Sequence, residues 1–137
     1  MPSILSGFAA YPSSLREVRD TFGQLSQEIQ RRHLPLHVDT WENNDIAGYC
    51  LVDPILEKIQ TADFLVADIT RLNFNVIYEI GYAIAKSKRV ILLQNRAIRP
   101  QPELMQELGL FDTTGWKLYQ NSGDLSQYLG RFAVLSG

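Results

Sequence analysis

The chain has 137 residues, 45% of them hydrophobic and 20% charged, enough to bury one core and too few for two ordinary domains. Its formal charge of −2, with no basic run longer than Arg31-Arg32, excludes the electrostatic footprint of a nucleic-acid binder or of a protein drawn to an anionic membrane surface. No segment approaches the roughly 18 apolar residues that span a bilayer, and the opening "MPSILSGFAAYPSS" lacks the positive flank of a signal peptide, so one compact, soluble, cytoplasmic domain over residues 1–137 is expected.

Taken in chain order, apolar strand-like runs alternate with helix-like periodicity, with no repeat or linker between them. "SILSGFA" (Ser3 to Ala9) predicts a buried first strand, which "AYPSS" ends. The next segment places Leu15, Val18, Phe22, Leu25 and Ile29 on one helical face, and Ser14 with Glu17 forms a capping-box pattern. "LPLHVD" (Leu34 to Asp39) is a second strand, followed by the loop "TWENNDIAG" and a helix to about Gln60 that Pro54 either opens or bends. "DFLVADI" and "RVILLQ" are continuous apolar strands of the kind covered on both faces, and the helix from about Asn75 to Lys86 between them makes a βαβ crossover. A short helical piece around Glu103 to Leu108, a weaker strand near Trp116 to Tyr119 and a closing helix capped by Asn121 or Ser122 complete the chain. The pattern predicts an α/β fold: a doubly wound, five-stranded parallel sheet in flavodoxin-like order, a three-layer sandwich.

Such sheets bind ligands beyond the carboxyl ends of their strands, where the strand order reverses. That rule selects Gly7 to Ser14, Asp39 to Gly48, Asp68 to Asn75 with Glu79 a turn further on, and Gln94 to Arg96. Within them Gly7, Phe8, Tyr11, Ser13, Asp39, Trp41, Asn73, Asn75 and Tyr78 are candidate substrate contacts, the aromatic rings offering flat faces for a base. Phe74 is a further such ring.

Glu79 is the unusual residue. With Asn73 or Asn75 as helix cap it falls in the first or second turn, where a carboxylate can complement the helix dipole for about 0.3–1 kcal/mol. Its neighbours at i−3, i−1, i+3 and i+4 are Val76, Tyr78, Tyr82 and Ala83, which offer no cation, and this company equally fits a partly desolvated acid with a raised pKa. Gly81, an interior helix glycine costing about 1 kcal/mol relative to alanine, predicts a close approach by the sheet or a ligand. Asp68 either caps its own turn with Thr70 or faces Glu79 across it.

Other chemistries lack their signatures. The sequence has no phosphate-binding G-x-x-x-x-G-K-[ST], no G-x-G-x-x-G, no C-x-x-C, no G-x-S-x-G and no H-E-x-x-H. The two histidines, His33 and His37, stand in no metal-ligand motif, so neither a metal nor a cofactor is expected. The single cysteine, Cys50, excludes an internal disulfide, agrees with a reducing compartment and reads as a packing residue.

"ADFLVADIT" followed by "NFNVIYEIGYAIAKSKRVILL" resembles the core of the nucleoside 2-deoxyribosyltransferase superfamily, including its deoxynucleotide N-hydrolase branch. That resemblance implies Glu79 as the catalytic carboxylate, Asp68 as a residue that positions it or assists the leaving base, and Gly81 as a point of close helix packing. "LHVDTWENNDIAGYCLVDPILEKIQTADFLVADIT" is also similar to the front of a TIR domain, and enzymatic TIR domains use a helix glutamate to split NAD. Both resemblances imply cleavage of an N-glycosidic bond through an oxocarbenium-like transition state, which a carboxylate beneath the anomeric carbon stabilises or captures. Asp68 or Asp39 would supply a proton where the leaving base needs one. A phosphate would sit at the turn after the first strand, on Ser13, Ser14 and the helix N-terminus, with Arg16 nearby. The expected partners are a nucleotide, nucleoside or NAD and further copies of the chain in a homo-oligomer. The alternatives are a TIR-like NAD glycohydrolase effector of bacterial defence and a non-catalytic nucleotide-binding or assembly module.

Overall fold

The computed structural model describes residues 4–12, 15–40, 52–71, 74–96 and 117–136. Its elements follow the order β1 (Leu5–Ala10), α1 (Arg16–Arg31), β2 (Leu36–Thr40), α2 (Val52–Thr61), β3 (Phe64–Asp68), α3 (Phe74–Ala85), β4 (Arg89–Asn95), β5 (Lys117–Tyr119) and α4 (Ser122–Ser136). All neighbouring strands pair in parallel in the order β2-β1-β3-β4-β5, the flavodoxin-like arrangement the sequence predicts.

Burial patterns explain the order. All five residues of β3 are buried, as a central strand covered on both faces requires, whereas β2 at one edge alternates buried and more exposed positions. On one face of the sheet α1 and α4 enclose Ala9, Val38, Phe64 and Val66 with Val18, Phe22, Leu25, Leu125 and Leu129. On the other, Ile59 of α2 and Val76, Ile80 and Ala83 of α3 close over Phe8, Ala10, Leu65, Ala67 and Leu92. Strand order reverses between β1 and β3, and sheets of this kind bind ligands beyond the carboxyl ends of such strands, here Ala10 and Asp68.

Local chemistry sets the ends. The buried stripe of α1 is the predicted one, Val18, Phe22, Leu25 and Ile29, and Leu15, in extended conformation, occupies its cap position without a side-chain cap bond. Ser14 lies outside the described residues. Pro54 falls in the first turn of α2, where a missing N–H removes no intrahelical bond. Asn121 caps α4, its Oδ1 accepting the Asp124 N–H at 2.9 Å. Helix α3 starts at Phe74, so Asn75 is inside its first turn and is not the cap; Asn73 and the expected helical piece around Glu103 to Leu108 lie outside the described residues.

Candidate active site

Side-chain alternation along β3 decides where its terminal acid points. Phe64 and Val66 belong to the α1/α4 layer, Leu65 and Ala67 to the α2/α3 layer, and Asp68 follows Phe64 and Val66. There it meets Tyr119 of β5, a residue of the same layer, whose hydroxyl donates to Asp68 Oδ2. Asp68 Oδ1 accepts the Thr70 N–H at 2.9 Å, so both oxygens are engaged, the second as the turn-capping role of Asp and Thr predicts. Thr70 in turn accepts the Asn95 N–H on Oγ1 at 2.7 Å. Asp68 is fully buried, and this desolvation raises its pKa against the lowering effect of the Tyr119 and Thr70 bonds. The Tyr119 hydroxyl is pushed up by burial and by the charge of Asp68.

Glu79 lies on the opposite side. It stands in the second turn of α3, beyond the first-turn positions where the helix dipole acts most strongly. The flanking Val76, Ile80 and Ala83 are buried against the sheet, and Glu79 itself is only 7% exposed. Its Oε2 has no hydrogen-bond partner among the described residues, and burial alone raises its pKa from 4.5 to about 7. Lys86, two turns on, places its ammonium over the Tyr82 ring at 5.6 Å. Of the two roles the sequence leaves open for Asp68, the turn cap with Thr70 is the one observed, and strand alternation sends its side chain toward α1 and α4 and away from the layer of α3.

The other candidates fall into distinct places. Phe8 is buried in the apolar cluster that contains Val76 and Ile80, so it helps to dry the Glu79 layer and presents no face to solvent. Tyr11 is core of the other layer, its ring stacked on Phe22 at 4.8 Å. Gly7 sits within β1 opposite Phe64; a Cβ there would lie 2.3 Å from the Phe64 ring, which accounts for the glycine by packing. Asp39 pairs with Lys58 at 3.1 Å and accepts the Thr40 N–H at 3.0 Å. Asn75 is exposed and Tyr78 is 53% exposed, both within a turn of Glu79. Ser13, Trp41 and Asn73, like Cys50, lie outside the described residues, as does the side chain of Phe74.

Gly81 makes no close approach to the sheet, contrary to that part of its prediction. A Cβ there would meet nothing within 4 Å among the described residues, because the buried stripe of α3 runs through Val76, Ile80 and Ala83 and turns Gly81 outward. The buried 76, 80 and 83 spacing was readable in the sequence and would have placed it there. Tyr119, in contrast, carried no local signal: it meets Asp68 across 51 residues of chain. Among the described residues no group of His, Cys, Asp or Glu is placed to hold a metal ion, and no helix is long and apolar enough to cross a membrane.

No protein-family model and no curated protein matches the chain. Its fold is shared by solved structures. The CMP N-glycosidase BcmB of Clostridium botulinum aligns with a TM-score of 0.60 at 20% identity, over 90% of this chain and 97% of that one. A conserved protein of Enterococcus faecalis V583 aligns at a TM-score of 0.62 and 17% identity, over 95% and 99% of the two chains. The TIR domains of the activated Roq1 resistosome, which recognises the pathogen effector XopQ, align at 0.57 and 10% identity, over 96% of this chain and 73% of that one. At these identities the likeness is one of fold.

Proposed function

We propose that the protein cleaves the N-glycosidic bond of a nucleotide or nucleoside, by hydrolysis or by transfer of the ribosyl or deoxyribosyl group, with Glu79 as the carboxylate that meets the charge growing on the sugar. The observation that carries this reading is a buried carboxyl with an oxygen unpartnered among the described residues, in the helix that follows the strand order's point of reversal. An acid kept dry without a hydrogen-bond partner costs stability, and a positive centre at C1′ would supply the partner it lacks. The fold shared with a CMP N-glycosidase supports the same chemistry.

In this mechanism the C1′–N bond breaks with its electron pair leaving on the base. Ionised Glu79 faces the resulting oxocarbenium, either stabilising it or bonding to C1′; water or an acceptor then adds to C1′, breaking the Glu79–C1′ bond where one has formed, and its proton goes to the departed base or, where the base leaves neutral, to solvent. Tyr78 and Asn75, exposed on the same helix, are the substrate contacts this reading assigns to α3. With a pKa of about 7, Glu79 is ionised above neutrality, so kcat/KM should rise with pH through about 7 and level off beyond it.

A second reading is favoured by the engagement of Asp68. With both its oxygens held and its side chain in the other layer, it is poorly placed to protonate a leaving base. Asp39 shares the face of Glu79 through its pairing with Lys58 of α2 and is held as an ion pair. A pyridinium leaving group needs no acid, because nicotinamide departs from NAD as a neutral molecule; that favours NAD as substrate, and the fold of the TIR domains agrees with it.

The test is free base measured by chromatography after incubating the wild type and Glu79→Gln with CMP, deoxynucleoside monophosphates, nucleosides and NAD over a range of protein concentrations, which also reveals a need for homo-oligomer assembly. Release by the wild type and a loss of at least about a hundredfold in the variant is the expected result. No release from any substrate leaves a binding or assembly module, and equal release by both proteins overturns the catalytic role of Glu79.

A further inference from the structure

We propose that Tyr119 is a positioning residue: its hydroxyl, donating to Asp68 across β4, fixes the Asp68–Thr70 turn from which α3 carries Glu79 to the mouth of the sheet.

The carboxyl rim is stitched at this point. Tyr119, Asp68 and Thr70 are all fully buried. Beyond the Tyr119–Asp68–Thr70–Asn95 chain of bonds, the Ile69 N–H donates to the Leu93 carbonyl at 2.8 Å and the Arg96 N–H to the Tyr119 carbonyl at 2.7 Å. The ends of β3, β4 and β5 thus form one hydrogen-bonded unit. Its apolar part does not require a hydroxyl, since the Tyr119 ring packs edge-on to Phe22 with centroids 6.2 Å apart and a phenylalanine would pack alike. The oxygen is therefore used for the bond to Asp68, and that bond anchors a three-residue strand to the centre of the sheet.

The consequence for Glu79 is mechanical. Ile69, between Asp68 and Thr70, is buried in the same apolar cluster as Val76 and Ile80 of α3, so slack at Asp68 and Thr70 passes through that contact to α3 and admits water to the acid in its second turn. The catalytic part of this inference rests on the reading of Glu79 given above; the positioning part does not.

Tyr119→Phe separates the two. In the variant, the titration of the Glu79 carboxyl, followed by carbon NMR, should fall from about 7 by about one unit toward 4.5 as water reaches it. Base release should lose roughly tenfold in kcat, the scale of one bond to a charged group, with KM nearly unchanged. Thr70→Val, which removes the acceptor of the Asn95 N–H, should move the Glu79 titration in the same direction and serves if Tyr119→Phe does not fold. A lowered melting temperature with the Glu79 titration still near 7 would mean that Tyr119 is only structural and would overturn the proposal. Should the wild type release no base at all, the enzymatic reading falls, while the titration of Glu79 in the two variants still decides the positioning role.

Discussion

Asp68 at the end of β3 and Glu79 a turn into α3 are both withheld from water and both pushed up by burial, yet the first has a donor on each oxygen and the second has an oxygen with none among the described residues. Burial by itself does not distinguish an acid that holds a fold together from an acid kept for a ligand. The inventory of partners does. A paired carboxyl repays part of its dehydration inside the protein, whereas an unpaired one leaves that cost standing until something positive or donating arrives.

Three substitutions can break or sharpen this contrast. The largest effect is expected at Asp68. Asp68→Ala leaves the Tyr119 hydroxyl and the Thr70 N–H buried without their acceptor, at about 1–3 kcal/mol for each donor, a loss that chemical denaturation measures. A neutral outcome would mean that the pairing contributes nothing.

Next comes Glu79→Gln, with the opposite sign. Below the ordinary carboxyl value of 4.5 the acid is protonated in the folded and unfolded chain alike and contributes no difference. Between 4.5 and about 7 the folded protein retains a proton that the unfolded chain has released, so wild-type stability falls as pH rises. Above that window the penalty is constant, on the order of 3 kcal/mol as an upper bound. The variant should therefore equal the wild type near pH 4 and exceed it in stability near pH 8, read from paired denaturation curves. A Gln variant less stable than the wild type at high pH would identify Glu79 as a satisfied structural acid. The smallest effect is that of Gly81→Ala, expected to stabilise by about 1 kcal/mol in thermal melts without moving the Glu79 titration, because the added methyl faces away from the sheet. A destabilised variant would restore the close approach that the glycine first suggested.

The strands and the buried stripe of α1 were legible because they depend on local periodicity: an apolar run for β3, a 3.6-residue stripe through Val18, Phe22, Leu25 and Ile29. Glu79 was legible as an anomaly for the same reason, a charge inside an apolar period. The relation between the two acids was not, because the side to which Asp68 turns depends on which residue of β3 begins the alternation, and a run buried on both faces gives no parity. Tyr119 was out of reach altogether, since its partner is set by the packing of β5 beside β4 and by nothing near it in the chain.

The separation of Tyr119 from Asp68 along the chain also imposes an order on synthesis. When a ribosome has added residues up to Asn95, the sequence of β3, α3 and β4 with Glu79 has been made, and the hydroxyl that bonds Asp68 has not. Until β5 docks beside β4, that carboxyl lacks its tyrosine donor. Docking of β5 is thus the step at which the Asp68 carboxyl gains its second donor.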